Sequence, residues 1–404
     1  MDRFQGLVGI LVIFAVLIAL SSNRRKINWR TLGVGLLLQV SFALLVLKWA
    51  PGFHALESVA GAIEKLIDFT NEGTSFVFGP LFGEDSGFIF ALNVLPVIIF
   101  LGAIIGALYY LRILQWFVEI VGTALRKVLG VSKVEGVWAS TVIFLGQSEA
   151  PLVIKPWLPK LTRSELFTCM SGGFAAVAGS TLVGYSLLGA PLPYLLAASV
   201  MNAPGSLMVA KALMPETEES QVNANVREVR DEESRNIIDA IGAGAMSGGR
   251  IAVAVACLLI AFIATIALIN AGIGGIGNLF GQDNWSLEGL FGALLSPLAW
   301  AIGVPWDEAS LVGNFIGQKT VLNEFVGYTA FSEHVDELSA KSVMLTSFAL
   351  AGFANFSSIA IQIGAFGALV PERRSEVAEL GMKALFAGFC TNMLNAAIVG
   401  IIAL

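Results

Sequence analysis

Long apolar runs, broken by short polar clusters, dominate the chain. Residues 86–111, 166–210, 251–282 and 342–371 carry no charged side chain, and each is longer than the roughly 20 residues that cross a bilayer core. Within lipid every backbone N–H and C=O must find a partner inside the protein, so such runs predict helices. The pattern gives eight spans, at about 1–20, 31–50, 87–110, 164–190, 191–213, 250–280, 340–370 and 376–404. Stretches 52–70 and 111–131 instead space their apolar residues helically with charge between them. They read as interfacial helices lying along the membrane surface. The expected fold is an all-α polytopic membrane protein.

Two segments resist that count. Residues 132–160 and 305–335 are too apolar for loops, yet each is interrupted midway by a polar cluster. Basic residues mark the cytoplasmic side: SSNRRKINWR (21–30) follows the first span, and ERR (372–374) precedes the last. Keeping them inside places both termini outside and makes each odd segment begin and end on one side. Both therefore read as re-entrant helical hairpins, with irregular backbone tolerated where it lines a cavity. GGFAAVAGSTLVGY (172–185) follows the first hairpin and AGFANFSSIAIQIG (351–364) the second. The two halves thus repeat with inverted orientation, the sequence sign of a secondary transporter with a midplane site. Four regions result: N-terminal scaffold helices at 1–86, a first repeat at 87–213, a cytoplasmic polar loop at 214–248 and a second repeat at 249–404.

Composition agrees and adds little. Of 404 residues, 56% are hydrophobic and 13% charged, against about 25% charged in soluble domains. The net charge of −6 reflects the loops. The first 20 residues lack a basic n-region and a cleavage site, so they read as a retained helix rather than a signal peptide. Cys169, Cys257 and Cys390 fall in apolar runs without paired spacing and read as packing residues. His54 and His334 stand far apart, so no metal site is expected.

The chemistry lies at the interruptions. In FLGQSEAPLV (144–153) Glu149 sits at membrane depth, where a carboxylate costs about 2.5–3.5 kcal/mol. A break at Gly146, with Pro151 in the first turn of the next helix, would aim free N–H groups at it. Gln147 and Ser148 add donors and acceptors. The second tip offers Asn323 and Glu324, and the broken span after it Phe353, Asn355, Ser357 and Ser358. Carboxylates, amides, hydroxyls and an aromatic face suit a neutral, polyhydroxylated, partly planar solute and suit an anion poorly.

At these residues the chain resembles a known family. GQSEAP (146–151), FAAVAGS (174–180), NAPGSLMVAK (202–211) with PETEE (215–219), NEFVGY (323–328) and GFANFSSI (352–359) look like the signature segments of concentrative nucleoside transporters, in that family's order. The likeness spans nearly the whole chain and is greatest to bacterial members. It implies a homotrimer in a bacterial plasma membrane, working by elevator-type alternating access. It implies that Gln147, Ser148, Thr181 and Phe353 meet the nucleobase, and that Glu149, Glu324, Asn355 and Ser358 hold the ribose. The pair Gly146–Gln147 resembles the form that takes pyrimidines or both base classes.

One departure bears on coupling. Where sodium-coupled members place two polar side chains beside the first tip, this chain has Val142 and Ala176. Backbone carbonyls near Val142, Leu145, Ala176 and Val177 remain, a weak set for a bare sodium ion. Proton coupling is expected instead, carried by Glu149 or Glu324, since a carboxylate taken out of water holds a proton more readily. A transporter of free nucleobases or another polar solute is the alternative. A channel would not need two occluding hairpins, and an intramembrane enzyme would need a nucleophile–base pair or a metal motif that is not present. Neither an enzyme nor a nucleic-acid partner is expected.

Overall fold

The computed structural model describes residues 2–82, 89–222, 234–279 and 285–402, with side chains from Gln5 onward. Helices α1 (Asp2–Ala19) and α2 (Trp29–Leu47) come first. Asn28 starts α2 by accepting from the N–H groups of Arg30 and Thr31. The expected surface helix at 52–70 is present but longer, as α3 (Ala50–Phe78). Within its polar stretch Thr70 and Thr74 return their hydroxyls to carbonyls one turn back, at 3.1 and 3.0 Å, and so need no outside partner. Next come α4 (Phe90–Asn93), α5 (Leu95–Tyr110) and the second surface helix, α6 (Ile113–Leu129), which stops at Gly130 with φ +71.

The first hairpin consists of α7 (Lys133–Thr141) and α8 (Ala150–Ile154). Its return limb is only one turn, because Pro156 and Pro159 lack the N–H that would extend it. A broken span follows, α9 (Arg163–Ala175) and α10 (Gly179–Leu187), then α11 (Leu192–Leu213). Helix α12 (Ile237–Leu279) runs 43 residues and starts well inside the stretch 214–248 expected as loop. Asn236 begins it early, accepting from the N–H groups of Ile238 and Asp239 at 2.9 and 3.0 Å. The charged centre of that loop, 223–233, lies outside the described residues. The second half repeats the plan with α13 (Leu287–Ala301), the hairpin α14 (Trp306–Val321) and α15 (Glu324–His334), the broken span α16 (Ala340–Leu350) and α17 (Phe356–Leu369), and α18 (Arg374–Ile402). Helices α13 and α14 meet at 115°, a turn that Gly303 makes with φ +113.

Among the described residues six helical stretches are long and apolar enough to cross a membrane. The other two of the eight expected spans are shorter: the apolar part of α1, and α16 with α17, which their own break divides. Burial sorts the spans into two layers. In the apolar 18-residue core of Arg163–Leu187, 94% of residues are buried, against 22% in that of Ile237–Leu279. The broken spans, α11, α18 and the hairpins make an inner body, while α2, α5 and α12 stand outside it. Lipid tails solvate outward leucines as well as a protein interior would, so the outer helices hold by close packing instead. A Cβ on Gly102 of α5 would lie 2.6 Å from the carbonyl oxygen of Gly244 on α12. The two backbones touch there, and only glycine permits it.

Candidate functional site

The site is built where the two hairpin tips meet the two helix breaks. Helix α7 enters the first tip from a capping box, with the Ser132 N–H donating to Glu135 at 2.9 Å. Beyond Thr141 the chain leaves helical geometry until Ala150. Glu149 closes this loop by accepting the Gly146 N–H at 2.7 Å. The donor therefore precedes the carboxylate rather than coming from the helix after it, because α8 is a single turn with Pro151 in its first positions. Gln147 is buried and Ser148 is exposed at the tip. The Gly179 N–H donates to the Phe144 carbonyl at 2.9 Å, joining the tip to the first broken span.

At the second tip Asn323 caps α15 by accepting the Val326 N–H at 3.0 Å. This sets Glu324 on the first turn, buried and facing both broken spans. One of its oxygens accepts from the Tyr185 hydroxyl at 3.0 Å and the other from the Asn355 amide at 2.8 Å. The same Asn355 starts α17, accepting from the Ser358 N–H at 2.9 Å and the Ser357 hydroxyl at 2.7 Å. Gln147 reaches across from the first tip and donates to the Ser358 hydroxyl at 2.6 Å. Hydrogen bonds thus draw Gln147, Glu324, Asn355 and Ser358 into one constellation. Phe353 lies at the second break, and its N–H donates to the Ala176 carbonyl at 3.1 Å, so the two breaks cross. Thr181 turns its hydroxyl onto its own helix, to the Ala178 carbonyl at 3.1 Å. Val142, Leu145, Ala176 and Val177 are all buried.

Several polar groups escaped the sequence reading. Tyr185 holds Glu324, and Gln362 donates to the Oε1 of Gln147 at 3.1 Å. Behind the breaks, the Asn392 amide lies within reach of the carbonyls of Ala175 and Ala351 at 3.1 and 2.8 Å. These carbonyls belong to the broken ends of α9 and α16, whose usual acceptor role is lost. Lys319, fully buried, gives its ammonium to the Ala349 carbonyl at 2.9 Å and to Asn392 Oδ1 at 2.8 Å. A lysine was not foreseen in the interior. The signal available was Asn392 and Asn395 three residues apart in the mostly apolar second half of α18, one face bearing two amides.

A second polar cluster ties the bases of these elements together. Lys211, near the end of α11, pairs with Glu135 at 2.6 Å and Glu216 at 3.2 Å, and donates to Ser164 at 2.8 Å. Half-burial opposes ionisation of Glu216, but Lys211, the Glu218 N–H and the Thr162 hydroxyl outweigh it and hold the carboxyl below its usual range. PETEE (215–219) is thus the strap between α11 and the start of α9. Of the three cysteines Cys169 and Cys390 are buried, whereas Cys257 is exposed on α12 and packs no interior.

Known proteins share this architecture. The models of the sodium-dependent nucleoside transporter N-terminus and C-terminus match residues 8–81 and 194–400, and a nucleoside-recognition model matches 91–192. The uncharacterised transporter YutK of Bacillus subtilis is 49% identical, the alignment covering 99% of each chain. The nucleoside permease NupC of Helicobacter pylori is 41% identical over 98% of this chain and 97% of its own. The solved structure of CNTnw in an inward-facing, substrate-bound state superposes with a TM-score of 0.95 at 44% identity, covering 100% of this chain and 98% of that one.

Proposed function

The chain belongs to the concentrative, sodium-dependent nucleoside transporter family, and we propose that it is a cation-coupled symporter importing nucleosides, driven by protons rather than sodium. The family consists of transporters, so the chain is a membrane transporter of nucleosides and not an enzyme. The observation that carries the proposal is the convergence on Glu324: one tip carboxylate takes Tyr185 from the first broken span and Asn355 from the second. In this reading Glu324, Asn355, Ser358 and Glu149 hold the ribose hydroxyls, with carboxylates accepting from vicinal O–H groups. Gln147, Ser148, Thr181 and Phe353 border the base, pyrimidine or either class. The inner body, with both hairpins, slides as an elevator against the outer helices of a homotrimer in a bacterial plasma membrane.

The proton is favoured because Val142 and Ala176 contribute no side-chain oxygen. Sodium would be left with backbone oxygens of Val142, Leu145, Ala176 and Val177, fewer than the six that hard cations of similar size gather. Glu149 and Glu324 are the carboxylates beside the substrate in this reading, and one of them carries the proton. The family models, described as sodium-dependent, favour the second reading, sodium held by those carbonyls. Radiolabelled uridine uptake into proteoliposomes, with sodium and pH gradients imposed separately, decides between them. Accumulation under an inward proton gradient without sodium is expected. Uptake that needs sodium and ignores the pH gradient would sink proton coupling. Competition by free uracil equal to that by uridine would point instead to a nucleobase carrier.

A further inference from the structure

We propose that Gln362 is a positioning residue that fixes which way the Gln147 amide faces, and through it sets which nucleobase edges the site accepts. The inference rests on the reading above in which Gln147 borders the base. Gln362 lies on α17, one turn beyond Ser358, and is fully buried. Its Nε2 donates to two acceptors, the Met170 carbonyl on α9 and Gln147 Oε1 at the first tip, both at 3.1 Å. Among the described residues its own Oε1 has no partner. Nothing on the Met170 side can donate, because a backbone carbonyl is an acceptor only. Turning the Gln362 amide would press Oε1 against that carbonyl and strip Gln147 Oε1 of its donor. Met170 therefore sets Gln362, and Gln362 sets Gln147.

The consequence runs on to the substrate. With Oε1 committed to Gln362, the Gln147 nitrogen faces Ser358 and gives it one N–H at 2.6 Å. The second N–H of that amide, and the lone pair of Oε1 that Gln362 leaves, are what remain to address a base. The tip thus presents its donor and its acceptor on fixed sides, whereas a glutamine free to rotate would exchange them. Gly173 keeps the passage open: a Cβ there would lie 2.8 Å from Gln362 Nε2 and 3.4 Å from the Gln147 Cβ. Uridine and cytidine exchange donor for acceptor along one base edge while keeping the same ribose, so their affinity ratio reports this polarity directly.

The test measures equilibrium binding of uridine and cytidine to the purified full chain. In the wild type the two affinities are expected to differ. Gln362→Met, or Gln362→Leu if the first variant does not fold, should move their ratio toward one by about fivefold, the worth of one hydrogen bond. In a Gln147→Ala background the same substitution should leave the ratio where Gln147→Ala has set it. A structural disturbance would instead weaken both nucleosides equally, leave the ratio intact and overturn the proposal. So would a wild-type ratio of one, or an equal shift of the ratio with Gln147 absent. If Gln147→Ala alone changes neither affinity nor ratio, the placement of Gln147 at the base fails and takes the inference with it, an outcome distinct from the others.

Discussion

Glu324 is held by two donors from two different spans, Tyr185 at 3.0 Å and Asn355 at 2.8 Å. Hydrogen bonds to a charged acceptor contribute about 1.5–3 kcal/mol each. Glu324→Gln keeps the shape but loses the charge and turns one acceptor into a donor. It should lower nucleoside affinity by about tenfold to a hundredfold while the protein elutes and melts as the parent does. Undiminished affinity would show that the ribose does not lie on this carboxylate. Glu216 gives a prediction of opposite kind, in stability rather than binding. Its carboxyl titrates below the usual range because Lys211, the Glu218 N–H and the Thr162 hydroxyl favour the charged form over the cost of burial. A depressed value means that the strap stabilises the fold fully above the ordinary carboxylate range and loses that contribution as pH falls through the depressed value. Melting temperature should therefore fall on acidification, and the fall should be shallower in Glu216→Gln. Identical acid limbs would remove Glu216 from the account.

At the scale of elements, the breaks matter more than the helices. Each broken span abandons carbonyls at membrane depth, where no water can take them. The Asn392 amide and the Lys319 ammonium supply the missing donors to Ala175, Ala351 and Ala349. Asn392→Ala leaves the Ala175 carbonyl bare and takes from Ala351 one of its two donors, Asn202 keeping the other at 3.2 Å, and a buried acceptor left bare costs about 1–3 kcal/mol. A marked drop in melting temperature is expected, together with lost binding, since the break presents Phe353 and Asn355. A variant that melts like the parent would mean the breaks hold themselves. The outer pair α5 and α12 rests on the opposite principle, close approach without polar groups. Gly244→Leu would drive a side chain into the α5 backbone at Gly102, and overpacking of this sort costs about 1–3 kcal/mol. Thermal melting of the detergent-purified protein reads it out, and an unchanged curve would show the pair to be dispensable.

The whole molecule is a buried inner body with a loosely covered outer layer. Span cores 94% and 22% buried within one chain describe helices with different neighbours, some protein and some lipid or a second subunit. The proposed homotrimer predicts a mass of three chains by light scattering after size exclusion, with detergent subtracted. A monomer retaining full uptake would refute it. An elevator needs the inner body to move as a unit. The polar ties at the tips support that, because they join both hairpins to both broken spans; Gln39 of α2 also holds Asn395 of α18 at 2.6 Å, a contact the movement must break or carry along. Transport, not binding, should then fall when a cysteine pair cross-links inner body to outer helix.

The sequence by itself determined the class of molecule, the two hairpins, the inverted repeat and the polar residues of the tips. These are local signals: a run without charge must be helical in lipid, and a carboxylate inside such a run must stand at an interruption. Element ends were less legible, because Asn236 starts α12 early and α3 runs on to Phe78, both through polar stretches that read as loop or surface. What the tertiary structure alone decided is who satisfies whom. Tyr185 meets Glu324 from 139 residues away and Gln147 meets Ser358 from 211. No periodicity reaches that far. Gln362, Lys319 and Asn392 looked like stray polar residues in membrane segments, and only the crossing of two broken spans turns each into a partner. A buried polar group is costly until its neighbour is known, and the neighbour is a property of the fold.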